Sequence, residues 1–384
     1  MNSIPRSSLE RYAARVRGCL LGGAVGDALG APVEFWSLAR IHGVVGLGGV
    51  RSYLANGHED GYGLVTDDTQ MTLFTVEGLI RAGIRRDRGI GFTVAMVHAA
   101  YDRWLDTQLL AGPDAGRDSR PDEAPVGGGW LASQPWLYAR RAPGTTCLGA
   151  LSAARGGAAK IHQYGHPADN RSKGCGGVMR SAPFGLFPPD LYPRATVFDW
   201  AAEAAGYTHG HVTGRLASGT LAAVVAGLVA GEELDAALDA AAAVLVTHER
   251  HEETTRALDA ARAAAAGTAS VGASTVESLG KGWVAEEALA IGVYAALAYP
   301  SPDQVVDALA LAVTHSGDSD STGSICGNLL GALHGDTALP PVLAFEVEGR
   351  GTILQLADDF VWEFTRPGEL HGDYGPVTRW TSRY

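Results

Sequence analysis

Glycine recurs at every fourth position in two stretches of this chain: Gly18, Gly22, Gly26 and Gly30 near one end, and Gly323, Gly327, Gly331 and Gly335 near the other. On a helix, residues four apart stand one above another, so each set predicts a ridge without side chains along one helix face. A glycine inside a helix costs about 1 kcal/mol relative to alanine, so two such ridges need something that offsets them. Close contact between helices along the ridges is the structural reading; bringing together the acidic groups at the helix ends is the functional one. Packing through small residues agrees with 51 glycines and a hydrophobic fraction of 46% of which aromatics make up only a small part.

Apolar residues at three- and four-residue spacing predict helices over Leu9–Leu29, Met71–Ile84, Thr93–Leu105, Leu216–Val246, Glu252–Ala266, Ala285–Ala298, Gln304–Thr314 and Ile325–Leu333, with almost no strand-like alternation. The expected fold class is therefore all-α. Nothing in the 384 residues reads as a linker, so the expectation is a single domain over 1–384, with a core over about 15–336. Residues 112–129, rich in Pro, Gly and charge, read as a surface loop, and 337–384 as a less periodic tail.

Lys and Arg number 30 against 42 Asp and Glu, a net charge of −12, which argues against broad binding of nucleic acid or anionic membrane. A phosphate-bearing substrate would need a local remedy for that charge. Four scattered cysteines (Cys19, Cys147, Cys175, Cys326) form no CxxC and imply neither a disulfide framework nor a zinc site, so a cytoplasmic location is expected. The first residues lack the apolar stretch of a signal peptide, and the longest apolar run, Leu216 to Ala230, is interrupted by Ser218 and Thr220; no membrane span is expected.

Two acidic clusters stand at predicted helix starts: Thr66-Asp67-Asp68-Thr69 and Asp318-Ser319-Asp320-Ser321. Either one alone is an ordinary N-cap, but a cap needs one such residue and each cluster supplies at least three. If the clusters meet, Asp67, Asp68, Asp318 and Asp320 repel one another unless protonated or neutralised, and two divalent ions would balance them. Oxygen ligands without Cys or His nearby favour Mg²⁺, Mn²⁺ or Ca²⁺ over Zn²⁺, and Thr66 and Ser321 add hydroxyl donors. The segment Ser172-Lys173-Gly174-Cys175-Gly176-Gly177-Val178-Met179-Arg180 is either a simple turn or a cradle of backbone N–H groups for an anion, with Lys173 and Arg180 nearby. His209 is either a structural group or a catalyst. Glu34, just beyond the Pro32 expected to end the first helix, is either solvated or part of a metal pocket.

Taken together, GCLLGGAVGDALGAPVEF, TDDTQM, KGCGGVMRSAPFG, YTH, GWVAEEALAIGVYAAL and SGDSDSTGSICGNLLGAL, in this order from Gly18 to about Gly335, resemble the ADP-ribosylglycohydrolase family. The resemblance implies a compact, orthogonal multi-helix fold with a central cleft holding two Mg²⁺, or Mn²⁺, that hydrolyses the bond between C1″ of ADP-ribose and a modified acceptor. On the matching positions it implies Thr66, Asp67, Asp68, Asp318, Asp320 and Ser321 as metal ligands. It implies Glu34, with Asp67 and Asp318, in catalysis, and Lys173, Gly174, Cys175, Gly176, Gly177, Met179 and His209 in substrate binding. The chain departs from the family pattern at Ser321, where Thr is usual, at Cys175, where Asn is common, and after Thr208-His209, where a proline is missing.

The leading expectation is release of free ADP-ribose from protein arginine. The alternatives are hydrolysis of O-linked ADP-ribose on serine, of a nucleobase or small-molecule conjugate, a non-catalytic ADP-ribose-binding protein, and two-metal phosphoester hydrolysis. An ADP-ribosylated protein or small molecule is the expected partner, with ADP-ribose as product.

Overall fold

In the computed structural model, which describes residues 5–55, 62–113, 129–156, 164–267, 271–365 and 383–384, helices carry the fold and the described residues form no strand. In chain order the helices are α1 (Arg6–Gly30), α2 (Leu38–Val45), α3 (Asp67–Asp87), α4 (Ala95–Leu109), α5 (Thr145–Gly156), α6 (Arg194–Gly206), α7 (Val212–Ala230) and α8 (Leu234–Leu245). They continue with α9 (Glu252–Ala266), α10 (Ala273–Leu279), α11 (Ala285–Ala298), α12 (Val305–Val313), α13 (Ser319–His334), α14 (Pro341–Glu346) and α15 (Arg350–Thr365).

The closest helix pair is α1 with α13, and the glycine ridges make it so. A methyl group on Gly18 would overlap the carbonyl oxygen of Gly331; on Gly22 it would overlap that of Gly327, on Gly26 that of Gly323, and on Gly30 that of Ser319. The pairing runs antiparallel, one ridge laid on the other with backbone against backbone, an approach that no side chain would permit. Gly23 leaves room for Asn328, whose side-chain amide donates to the Cys19 carbonyl at 2.8 Å. Because the helices are antiparallel, the C-terminal end of α1 lies beside the N-terminal end of α13. This placement is the main determinant of the site.

Three sequence readings change. The stretch Leu216–Val246 is two helices, because Gly231 takes a left-handed conformation (φ 99°) that closes α7 and lets α8 fold back on it. Gly335 lies just past α13 rather than inside it, again at positive φ (83°). In the segment read as a tail, α15 buries Ile353, Leu356, Phe360 and Phe364 in the same hydrophobic cluster that holds Leu20, Phe74 and Ile325. Of the loop expected at 112–129, residues 114–128 lie outside the described residues. Helix α7 is long and apolar enough to cross a membrane, but most of it is buried inside the protein, as the interior helix of a helical core is.

Candidate metal centre and substrate cleft

Pro32, lacking an amide hydrogen, ends α1 in a short turn over Ala31–Val33 and delivers Glu34 directly beyond it. Three residues before the end of α1, fully buried Asp27 reaches across to the start of α3. Its carboxylate accepts from the Thr66 amide (3.0 Å), the Thr66 hydroxyl (2.9 Å), the Thr69 amide (3.1 Å) and the Thr69 hydroxyl (2.5 Å). Asp27 thus caps α3 from another helix. The Thr66 oxygen also accepts from the Asp68 amide at 3.3 Å, which leaves one hydroxyl lone pair for a further partner. Asp27 gave no separate signal in the sequence, where a single acidic residue inside a glycine-rich apolar helix reads as part of that helix. Replacing Asp27 with Ala would leave two buried amides without acceptors, so we expect a loss of about 2–4 kcal/mol of stability. Urea denaturation would check this, with a serious fall in cation affinity in parallel.

With α3 fixed in this way, Asp67 and Asp68 are in its first turn rather than ahead of it. Asp67 Oδ2 accepts from the Gly144 amide at 3.3 Å, which ties the cluster to the start of α5. From the opposite side, Asp318 stands at the N-cap position of α13, with its carboxylate free of any capping bond, and Asp320 sits in the first turn, accepting from the Ser321 amide at 2.9 Å. Carboxylate oxygens of Glu34, Asp318 and Asp320 lie within 4.8 Å of one another. All the acidic residues singled out in the sequence therefore converge, and all are buried.

Burial raises the carboxyl of Glu34 to about 9, reinforced by the charges of Asp320, Asp67 and Asp27. Burial, then Asp320, raises Asp27 to about 7 despite its four donors. Asp67, Asp68 and Asp318 are pushed well up by burial and next by Asp320. Asp68 Oδ2 is buried and has no hydrogen-bond partner. A cluster of like charges that carries an unpartnered oxygen is what divalent cations would neutralise, and an all-carboxylate and hydroxyl donor set suits hard ions.

The glycine segment is placed beside this centre, but its cations are not. The turn Cys175–Gly177 is joined to the segment before α11 by the Cys175 amide to the Trp283 carbonyl (3.2 Å) and the Ala285 amide to the Lys173 carbonyl (2.9 Å). The Gly174 amide is committed to the Ser172 hydroxyl at 3.3 Å. Lys173 Nζ donates to Glu253 (2.5 Å) and to Glu286. Arg180 is buried; it bonds Thr208 Oγ1 at 2.6 Å and Cys147 Sγ at 3.3 Å, and lies over the Tyr101 ring. Met179 belongs to the hydrophobic cluster. The flanking cations and Met179 thus serve packing and ion pairing within the fold. A methyl on Gly176 would stand 2.9 Å from His209 Cε1, so this glycine lets the loop lie on the imidazole. His209 is held by Thr208 Oγ1 at 2.8 Å, and burial, aided by Arg180, lowers it to about 3, so its ring is neutral.

A cavity of about 620 Å³ opens between α5 and residues 166–172, which lead into this loop; it is lined among others by Thr145, Thr146, Asn170, Ser172, His98 and Tyr207. Along α5 the cavity follows the face that carries Thr145, Gly149 and Ala153, so the Thr145 and Thr146 residues stand at one end of its wall. Thr145 and Thr146 escaped the sequence reading; hydroxyl residues ahead of an apolar helix were the available signal. The residues next to Glu34 and Gly282 are Phe35 and Trp283, 75% and 39% exposed, whose rings stack at 5.6 Å with an interplanar angle of 21°. A methyl on Gly282 would meet the Asp318 side chain at 3.3 Å, which places this aromatic pair beside the carboxylates.

Comparisons with known proteins agree with this architecture. The chain matches the model of the ADP-ribosylglycohydrolase family over residues 8–369. Among solved structures it is similar to one described as an ADP-ribosylglycohydrolase-related protein complex, with a TM-score of 0.64 and 23% identity, covering 93% of this chain and 99% of that one. No curated protein matches it. The helical fold joined along two glycine ridges, with buried Glu34 brought to Asp318 and Asp320 at the start of α13, accords with the family match over nearly the whole sequence, which shows that the chain belongs to the ADP-ribosylglycohydrolase family.

Proposed function

We propose that this glycohydrolase cleaves the C1″–N bond of ADP-ribosyl-arginine on protein, releasing free ADP-ribose, and depends on two Mg²⁺ held by Thr66, Asp67, Asp68, Asp318, Asp320 and Ser321. The observation that carries the reading is the convergence of buried Glu34, Asp318 and Asp320, with the buried, unpartnered Asp68 oxygen within the field of the same carboxylates. Divalent ions bound there would supply Lewis acidity and orient vicinal hydroxyls of the distal ribose. The chain's own groups do the rest. Asp27 holds the start of α3 in place, so Asp67 and Asp68 are preorganised. The Thr145 and Thr146 hydroxyls offer donors for a diphosphate in the cavity beside α5, a local remedy for the acidic charge of the chain. Glu34, at the edge of the cluster next to exposed Phe35, is placed to move a proton between water and the leaving group as the bond breaks.

Arginine is favoured as acceptor by the mouth of the site. A guanidinium is planar and cationic, and it is attracted both to the carboxylate cluster and to the faces of Phe35 and Trp283. A serine linkage offers the pair nothing to stack.

The test is to offer ADP-ribosyl-arginine, ADP-ribosyl-serine and ADP-ribosyl-guanine with Mg²⁺ or with EDTA and to identify products by mass spectrometry. We expect free ADP-ribose from the arginine conjugate, none in EDTA, and a KM raised about tenfold by Trp283→Ala, roughly the worth of one cation–π contact. Preference for the serine or guanine conjugate would replace the acceptor assignment. Release of phosphate, or binding of ADP-ribose without turnover of any conjugate, would defeat the hydrolase reading itself.

A further inference from the structure

Asp27 is not alone in fixing the start of α3. The carbonyl of buried Val65, directly ahead of Thr66, accepts from Arg141 Nη1 at 2.8 Å, and the Val65 amide donates to Glu348 Oε2 at 3.4 Å. Arg141 and Glu348 are joined to each other in a bidentate ion pair, Nη1 to Oε2 at 2.5 Å and Nη2 to Oε1 at 3.0 Å. Their side chains are 27% and 17% exposed, too withdrawn for the weak coupling of a surface pair. The peptide unit between Val65 and Thr66 is thus held at both edges, its carbonyl by Arg141 and its amide by Asp27. A planar unit gripped in this way is not free to turn. Glu348 is placed by a backbone pairing: its amide donates to the Gly63 carbonyl at 2.9 Å, and the Gly63 amide donates to the Glu346 carbonyl at 3.3 Å. Arg141 belongs to a segment that returns to α3 three residues later, where the Gly144 amide reaches Asp67. Between these two contacts Ala142 takes a left-handed conformation (φ 45°), which is strained for a residue with a side chain and persists where contacts on both sides enforce it.

We propose that Arg141 and Glu348 are positioning residues of the metal centre, an ion pair whose closure over Val65 sets the backbone from which Thr66 and Asp67 present oxygen to the cation. The inference rests on the cation-binding reading above and adds to it two residues that act through Val65. One of them, Glu348, lies in the segment that read as a tail, so the C-terminal helices take part in building the site. Ligands bind a cation more tightly when groups behind them hold them in place, and loss of such a group ordinarily costs about ten- to a hundredfold in metal affinity. An ion pair that only braced the fold would lower stability and leave that affinity untouched. Arg194 and Glu232, which join α6 to the turn after α7 with similar burial, form a pair of that kind.

The experiment is a calorimetric titration of the cation-free full chain with Mg²⁺, without substrate, alongside thermal melting in EDTA. Arg141→Met and Glu348→Ala should each lower Mg²⁺ affinity at least about tenfold. The double variant should bind no more than about twofold worse than the weaker single one, because the pair acts as a unit. Arg141→Lys, which keeps the charge and one donor toward Val65, should stay within about threefold of the native affinity. Arg194→Met should melt at a similarly lowered temperature yet bind Mg²⁺ within about twofold of the native chain. Circular dichroism establishes that each variant is folded; where Arg141→Met is not, the milder Glu348→Gln decides, with an expected loss of about threefold or more. Native affinity in folded Arg141→Met or, in its place, in Glu348→Gln would overturn the proposal. So would single losses that multiply in the double variant, or an equal loss in Arg194→Met. In all these outcomes the native chain binds Mg²⁺ and the cation reading stands; a native chain that binds none would defeat that reading and the proposal with it.

Discussion

Asp68→Asn should stabilise the cation-free protein while lowering hydrolysis at least about a thousandfold, the loss expected when a metal that contributes several kcal/mol to the transition state is displaced. The two effects have one origin. Asp68 is buried among Asp320, Asp67, Asp27 and Asp318, all of which disfavour its charge, and its Oδ2 has no donor. An amide at this position removes one repelling charge and can donate to a neighbouring carboxylate. Saturating Mg²⁺ should raise the melting temperature of the native chain strongly and that of the variant little, because a cation stabilises only the fold that binds it.

The same electrostatics fix the pH dependence. Glu34 moves from an ordinary 4.5 to about 9 in the fold, and Asp27 from 3.8 to about 7. Between those values the folded chain holds more protons than the unfolded one, so without cation stability is greatest in mild acid and falls as pH rises through 7 toward 9. A melting temperature lower by at least about 5 °C at pH 8 than at pH 5 in EDTA, with the gap largely closed by Mg²⁺, is the expected result. A flat profile, or an Asp68→Asn protein no more stable than the native chain in EDTA, would show that the carboxylates do not oppose one another as their burial implies.

How much of this was legible in the sequence depends on the range of the interaction. Features set by neighbours along the chain were readable: the helical periodicity, the break at Pro32, the acidic residues at two helix starts and the two ridges. Gly231 was missed because helical periodicity resumes at Leu234 after only Glu232 and Glu233, and periodicity carries no sign of a reversal in direction. Asp27 was missed because its partners, Thr66 and Thr69, are some forty positions away. Lys173 and Arg180 were misplaced for the same reason, since Glu253, Glu286 and Tyr101 claim them only in three dimensions. Sequence marks which residues carry charge; the packing decides which of those charges are free to act.

The second large effect concerns that packing. Gly26→Ala should destabilise the protein by at least about 3 kcal/mol, the upper range for overpacking, because the added methyl overlaps the Gly323 carbonyl group and backbone cannot rotate away from it. The damage should also reach the site, because Gly26 adjoins Asp27, and the ridge sets the distance from Asp27 and Glu34 on one side to Asp318 and Asp320 on the other. Helices forced apart by even about 1 Å lose the convergence that holds cations, so affinity for Mg²⁺ should fall more than about tenfold. Gly327→Ala, which meets the Gly22 carbonyl one helical turn further from the site, should behave alike in stability but less severely in cation affinity. Gly43, where a methyl meets nothing within 4 Å, is the control. Gly43→Ala in α2 should be neutral or up to about 1 kcal/mol more stable, since alanine costs less than glycine in a helix. Chemical denaturation and calorimetric Mg²⁺ titration of the three variants decide the matter: a Gly26→Ala protein with native stability and native cation affinity would mean that the ridges neither carry the packing nor assemble the site.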